Sequence, residues 1–232
     1  MERLKQPFAI TMRRYEIIGG IIWFLVYAFF MGILIGMVMG LLGIPYSDAS
    51  LNCIYAFSNF VITGLLFRRF LSYSLPLVAD HLLRFLKSLL IGFMVYWVLM
   101  ACFSALVETL GINNWVPNDD TISAIAGENY RLMWAMAVLL APMTEETLIR
   151  GLIFGNIRRK NRILAYILTA LIFAGMHMVS YLGTMTPVNL VYNLLVYSLP
   201  SVALCVCYEY AGTIWGPIAL HMILNAMGMS GY

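Results

Sequence analysis

Charged side chains are scarce in this sequence, and the scarcity decides its class. Only 11% of the 232 residues are Asp, Glu, Lys or Arg, against 62% hydrophobic, and the mean hydropathy is +0.86. Soluble domains carry about 25% charge, which excludes an ordinary water-soluble globule. Histidine is rarer still, with 3 in the chain. No HExxH occurs, so a zinc protease of the site-2 type is excluded. No GxSxG or comparable serine motif is present either, and Ser180 and Ser230 stand isolated. The aspartates, Asp48, Asp80, Asp119 and Asp120, all fall in connections between apolar runs, which argues against a paired-aspartate intramembrane site. The 4 cysteines (Cys53, Cys102, Cys205, Cys207) lie in apolar runs without paired-motif spacing and read as small buried hydrophobes. No internal repeat is visible, which counts against an inverted-repeat transporter.

Long uncharged runs are what the chain does have. Ile17–Ile44, Ala49–Phe67 and Ser88–Val107 carry no charge, and between Ile163 and Tyr208 only His177 interrupts. A membrane span needs roughly 20 apolar residues. The fold expected is therefore all-α, a polytopic transmembrane helical bundle. About seven spans are placed near 17–43, 50–67, 88–107, 132–157, 163–181, 189–207 and 212–230; six or eight also fit, and residues 70–87 could form an interfacial helix. The first run is too long for a signal-peptide core and reads as a retained span.

The net charge of +3 implies no nucleic-acid partner; the positives serve topology instead. They gather before the first span (Arg3, Lys5, Arg13, Arg14), between the second and third (Arg68, Arg69, Arg84, Lys87), and after the fourth (Arg158, Arg159, Lys160, Arg162). The connection 108–131 is instead acidic, with Glu108, Asp119, Asp120 and Glu128. The positive-inside rule then puts the N-terminus in the cytoplasm and the 108–131 loop outside, where it is expected to be a solvated connection. The host is expected to be the plasma membrane. We divide the single membrane domain into residues 1–131, the first spans and outside loop, and residues 132–232, a core holding the chemistry. Gly32, Gly36 and Gly40 form a small-residue face suited to close helix packing.

Within that core, "APMTEETLIRGLIFG" (residues 141–155) buries charge in a span. Each charge at mid-bilayer costs roughly 2.5–3.5 kcal/mol even on the gentle insertion scale. Glu146 and Arg150 are i and i+4, share a face and can pair. Glu145, turned by about 100°, has no local partner, while Gly151 and Gly155 would admit a neighbouring helix closely. A structural salt-bridge cluster would explain this segment alone. Two intramembrane histidines add to it: His177, with Phe173 one turn earlier, and His221, with Asn225 one turn later. His81 falls in a basic connection and reads as interfacial. Together the set suits hydrolysis by water: a carboxylate as general base, a histidine to orient the water, and a His–Asn pair to hold an oxyanion. Glu145, His177 and His221 could alternatively ligate zinc with an open position for water.

"EETLIR", "FAGMH" and "HMILN" resemble, in order and on three separate expected helices, the EExxxR, FxxxH and HxxxN motifs of the CPBP family. These are intramembrane proteases, also called the CAAX-protease and bacteriocin-processing, or ABI, family. The resemblance covers residues about 130–230 and implies an endopeptidase acting on a membrane-associated peptide or protein. It implies Glu145 as the water-activating base, His177 as its partner, His221 and Asn225 as the oxyanion pair, and Glu146 and Arg150 as supporting residues. No cofactor is expected, since the Asn suits hydrogen bonding better than ligation; zinc is the alternative. A catalytically idle scaffold or bacteriocin-immunity protein of the same fold, or a proton-coupled transporter, are the competing readings.

Overall fold

The computed structural model describes residues 8–231, and among them the regular structure is entirely helical. Arg3 and Lys5, counted above toward the cytoplasmic N-terminus, lie outside the described residues. Six helices are long and apolar enough to cross a membrane: α1 (Arg14–Leu41), α2 (Asp48–Leu66), α5 (Leu82–Leu110), α6 (Pro117–Arg158), α7 (Arg162–Tyr181) and α8 (Pro187–Ala211). Two short helices, α3 (Arg68–Ser74) and α4 (Pro76–Asp80), occupy the connection where one interfacial helix was expected. The seventh expected span is instead α9 (Trp215–Met229), of 15 residues. At 1.5 Å per residue it is about 22 Å long, less than the roughly 30 Å of bilayer hydrocarbon.

Local signals set the boundaries. Ser47 caps α2 by accepting from the Ser50 amide at 3.2 Å, Asn161 caps α7 through Leu164 at 3.0 Å, and Thr186 caps α8 just before Pro187. Gly212 ends α8 at φ 71°, a left-handed conformation that favours glycine.

The basic connections all meet at one end of the bundle. Arg69 pairs with the fully buried Glu16 at 2.6 Å, and Glu16 also accepts the Phe70 amide at 3.1 Å. Arg84 donates to the Tyr210 carbonyl at 2.7 Å, while Arg158 and Arg162 both pair with Glu209. The opposite end is joined by hydrogen bonds rather than ion pairs among the described residues: Asn193 donates to the Trp115 carbonyl at 3.0 Å, and the Thr121 and Tyr181 hydroxyls meet at 2.7 Å. The core is thickest near the basic end, where Phe8 stacks on Tyr208 at 4.1 Å and Phe154, Phe67 and Phe70 are buried. Gly151 admits Met12 and Phe70, and Gly155 faces Tyr208, the close approach those glycines were expected to allow.

Three expectations are corrected. The 108–131 connection is not a solvated loop: its second half is the start of α6, broken from the span by Asn129, whose φ/ψ of −156°/90° is not helical. Ile125 and Ala126 are buried there, and Glu128 accepts the Ala49 amide at 3.1 Å, an acceptor at the start of α2. Among the described residues nothing packs on the Gly32–Gly36–Gly40 face, with no heavy atom of a neighbouring element within 4 Å of where a Cβ would stand. Cys205 and Cys207 are buried as expected, but Cys102 is exposed and Cys53 only partly covered.

Candidate active site

Glu146 is fully buried on α6 and organises the centre of the bundle. Its Oε1 accepts from Arg150 Nη1 at 2.9 Å, the i to i+4 pair that the helical spacing predicts. The same oxygen accepts from His221 Nδ1 of α9 at 2.7 Å. A carboxylate oxygen can only accept here, so Nδ1 carries the proton and the neutral ring keeps its lone pair on Nε2. Arg150 is held from a third helix as well: Nη2 donates to Ser201 Oγ at 2.8 Å and to the Ser201 carbonyl at 3.2 Å, both on α8. Its guanidinium lies over the Phe173 ring at 4.7 Å, a cation–π contact with α7. One buried ion pair therefore ties α6, α7, α8 and α9 together.

Glu145 points elsewhere, as its 100° turn predicts. It lines a cavity of about 660 Å³ whose walls also include His177, His221 and Asn225. Its Oε2 is 4.0 Å from His221 Nε2. His177 occupies another part of the wall: Nδ1 donates to the Phe173 carbonyl at 2.8 Å, and the ring stacks on Tyr197 at 4.5 Å. That bond again leaves Nε2 unprotonated in the neutral ring. Asn225 donates one amide hydrogen to the Ala137 carbonyl at 2.8 Å and keeps a second. Thus the histidine within 4.0 Å of Glu145 is His221, while the family resemblance implied His177 as its partner.

The helices are locally widened at the site. Val26–Phe30, Ala135–Leu140 and Thr147–Phe154 are π-helical, and Tyr27, Ala137 and Arg150 lie in these stretches. Such turns shift carbonyls off the regular ladder and gather at functional sites.

The N-terminal spans supply wall residues that the sequence reading did not single out. Tyr27 of α1 and Tyr55 of α2 both interact with Glu145, and the Tyr55 hydroxyl donates to the Tyr27 carbonyl at 3.2 Å. Asp119 reaches the cavity mouth within electrostatic range of His177. An aromatic in a span carries no sequence signal that separates packing from a polar wall, and Asp119 was hidden by the loop assignment. Lining residues Asp119 and Thr121 are exposed, so the mouth lies at the acidic end; the basic end is closed by the aromatic core.

Among the described residues no three His, Cys, Asp or Glu side chains converge as a metal-binding group. The alternative zinc set of Glu145, His177 and His221 is not gathered into such a group, although both histidines bond through Nδ1 and keep Nε2, the nitrogen a metal would take.

Residues 127–227 match the family model described as Type II CAAX prenyl endopeptidase Rce1-like. The match begins beside the Asn129 break and ends just beyond Asn225, so it contains all three motifs and leaves out α1–α5. No curated protein and no solved structure matches the chain. The chain is an integral membrane protein that carries, over residues 127–227, a domain of the CAAX-protease, or CPBP, family of membrane endopeptidases.

Proposed function

We propose that this protein is an intramembrane endopeptidase that cleaves a peptide bond of a membrane-associated peptide or protein with water activated by Glu145. The observation that carries this reading is one cavity inside the bundle that collects Glu145, His177, His221 and Asn225 in front of the neutralised Glu146–Arg150 pair. Water held between Glu145 and His177 Nε2 gives its proton to Glu145 as its oxygen bonds the scissile carbonyl carbon. The proton passes to His221 Nε2, 4.0 Å from Glu145, the nitrogen of that ring left free to take it because Nδ1 is bonded to Glu146. Imidazolium and the remaining Asn225 N–H then face the oxyanion, and the proton leaves with the amine as the C–N bond breaks. Glu146 fixes the tautomer of His221 and stabilises its charged form, the task an orienting carboxylate performs in a hydrolytic triad. No step requires a metal.

The test compares new protein N-termini in membranes of cells expressing wild type or Glu145→Gln at matched levels. Cleavages confined to wild type, and persisting with 1,10-phenanthroline, are expected. Identical profiles from two folded, inserted proteins would favour the idle scaffold, immunity or transport readings; loss with the chelator would restore zinc.

We further propose that the basic end faces the cytoplasm, with the N-terminus, and that the plasma membrane is the host. The mouth at Asp119 and Thr121 then opens on the outer side, so substrate arrives from there. With Cys53 and Cys102 replaced by serine, Thr121→Cys should react with a membrane-impermeant maleimide in intact cells. Lys160→Cys should react only after permeabilisation. The reverse pattern would invert the topology.

A further inference from the structure

A carboxamide sits buried in α2 with a single polar neighbour, Tyr55. Asn59 is 1% exposed; its Oδ1 has no hydrogen-bond partner, and its Nδ2 meets only the Tyr55 hydroxyl, without well-formed hydrogen-bond geometry. Burying an unpaired amide is costly, and more so in a helix surrounded by hydrocarbon. Asn59 is part of the cavity wall, and α2 packs directly on the Ala141–Glu146 segment. Tyr55, one turn before Asn59, is the polar neighbour of both Asn59 and Glu145. A second group behaves in the same way: Thr144 is 2% exposed, its Oγ1 is unpaired, and it lines the same cavity next to Glu145 in sequence.

A side-chain amide offers one acceptor and one donor group side by side, the complement of the N–H and C=O of an extended residue. We propose that Asn59 binds the main chain of the substrate. Its Oδ1 accepts a peptide N–H and its Nδ2 donates to a peptide carbonyl, while Thr144 Oγ1 takes a neighbouring polar group. The ligand class is an extended peptide main chain, read without regard to side chains. This role rests on the endopeptidase reading above, but the residue lies outside the 127–227 match. The N-terminal spans would therefore hold the substrate while the C-terminal domain cuts it.

The test needs no turnover. In purified Glu145→Gln protein, millimolar N-acetyl-leucyl-leucinamide should raise the thermal unfolding temperature. Adding Asn59→Leu should leave the probe-free unfolding temperature equal or higher, because only a poorly aligned contact with Tyr55 is lost, and should weaken the probe about tenfold or more. Asn59→Ala gives the same comparison where leucine overfills the wall. A fall in the probe-free temperature for both variants would make Asn59 a structural residue and overturn the proposal. Unchanged probe affinity, or no binding to Glu145→Gln, would overturn it equally. Failure of the protease reading would show in the N-terminus comparison and leave this binding measurement standing on its own.

Discussion

Replacing His221 with glutamine is expected to lower turnover by about 10²–10⁴-fold, the usual share of a general acid or base, and to leave the fold intact. Glutamine can still donate to Glu146 Oε1, so the buried carboxylate keeps the partner that now stands at 2.7 Å. What disappears is a group that can take a proton on one nitrogen while the other is held. His177→Gln should cost less, by about a factor of ten in relative terms. His177 makes its one hydrogen bond to the Phe173 backbone and its ring packs on Tyr197, so its contribution is to orient water rather than to store the proton. Both variants are compared by kcat on a peptide spanning a bond that wild type cleaves, with unfolding temperature as the control. A null His177→Gln beside a near-normal His221→Gln would return the base to the Glu145–His177 pairing.

Arg150→Met should be the most destabilising single change in the core. Removing one partner of a buried ion pair costs about 3–5 kcal/mol, because the other charge is left without compensation. Here both side chains are 0% exposed, and Arg150 also loses the Ser201 hydroxyl and the face of Phe173. The double variant Glu146→Gln/Arg150→Met removes both charges and leaves an amide oxygen for His221, so it should recover more than half of the loss. Arg150→Lys should not rescue, since an ammonium cannot reach Glu146 and Ser201 with the geometry of a guanidinium. Unfolding of wild type and these three variants in detergent makes the comparison. A double variant no more stable than Arg150→Met would mean that the arginine acts through packing on Phe173 and Ser201, and not through charge.

How much of this was legible in the sequence depends on range. The Glu146–Arg150 pair follows from four-residue spacing alone, and the sorting of basic and acidic connections to opposite ends follows from counting spans. The bond from Glu146 to His221 does not, because 75 residues separate them and only the packing of α9 against α6 brings them together. The break at Asn129 was hidden because its neighbours carry loop-like polarity, so the helical, cavity-lining start of α6 read as a solvated connection. Tyr27, Tyr55 and Asn59 share the composition of any aromatic-rich span. Their significance is a matter of which face they present, and an all-apolar surrounding offers no amphipathic pattern to reveal it. The helix placed at 212–230 is α9, slightly shorter at both ends, because hydropathy registers apolar character but not where a helix starts, and α9 begins only at Trp215.

Hydrolysis at mid-membrane also consumes water, and the shortness of α9 bears on how it gets there. A helix of about 22 Å leaves several ångströms of hydrocarbon thickness unmatched. Ile223 and Met227 are the large exposed side chains through which lipid can meet it, and thinning there would draw headgroups and their hydration inward. His221 lies eight residues before the end of α9 at Met229, about 12 Å along its axis. Thinning on the mouth side shortens the path from bulk solvent to its ring. The protein would then meet its reactant by lowering the membrane around one stunted helix, and its rate would respond to acyl-chain length in vesicles: slower in thick bilayers, faster in thin ones.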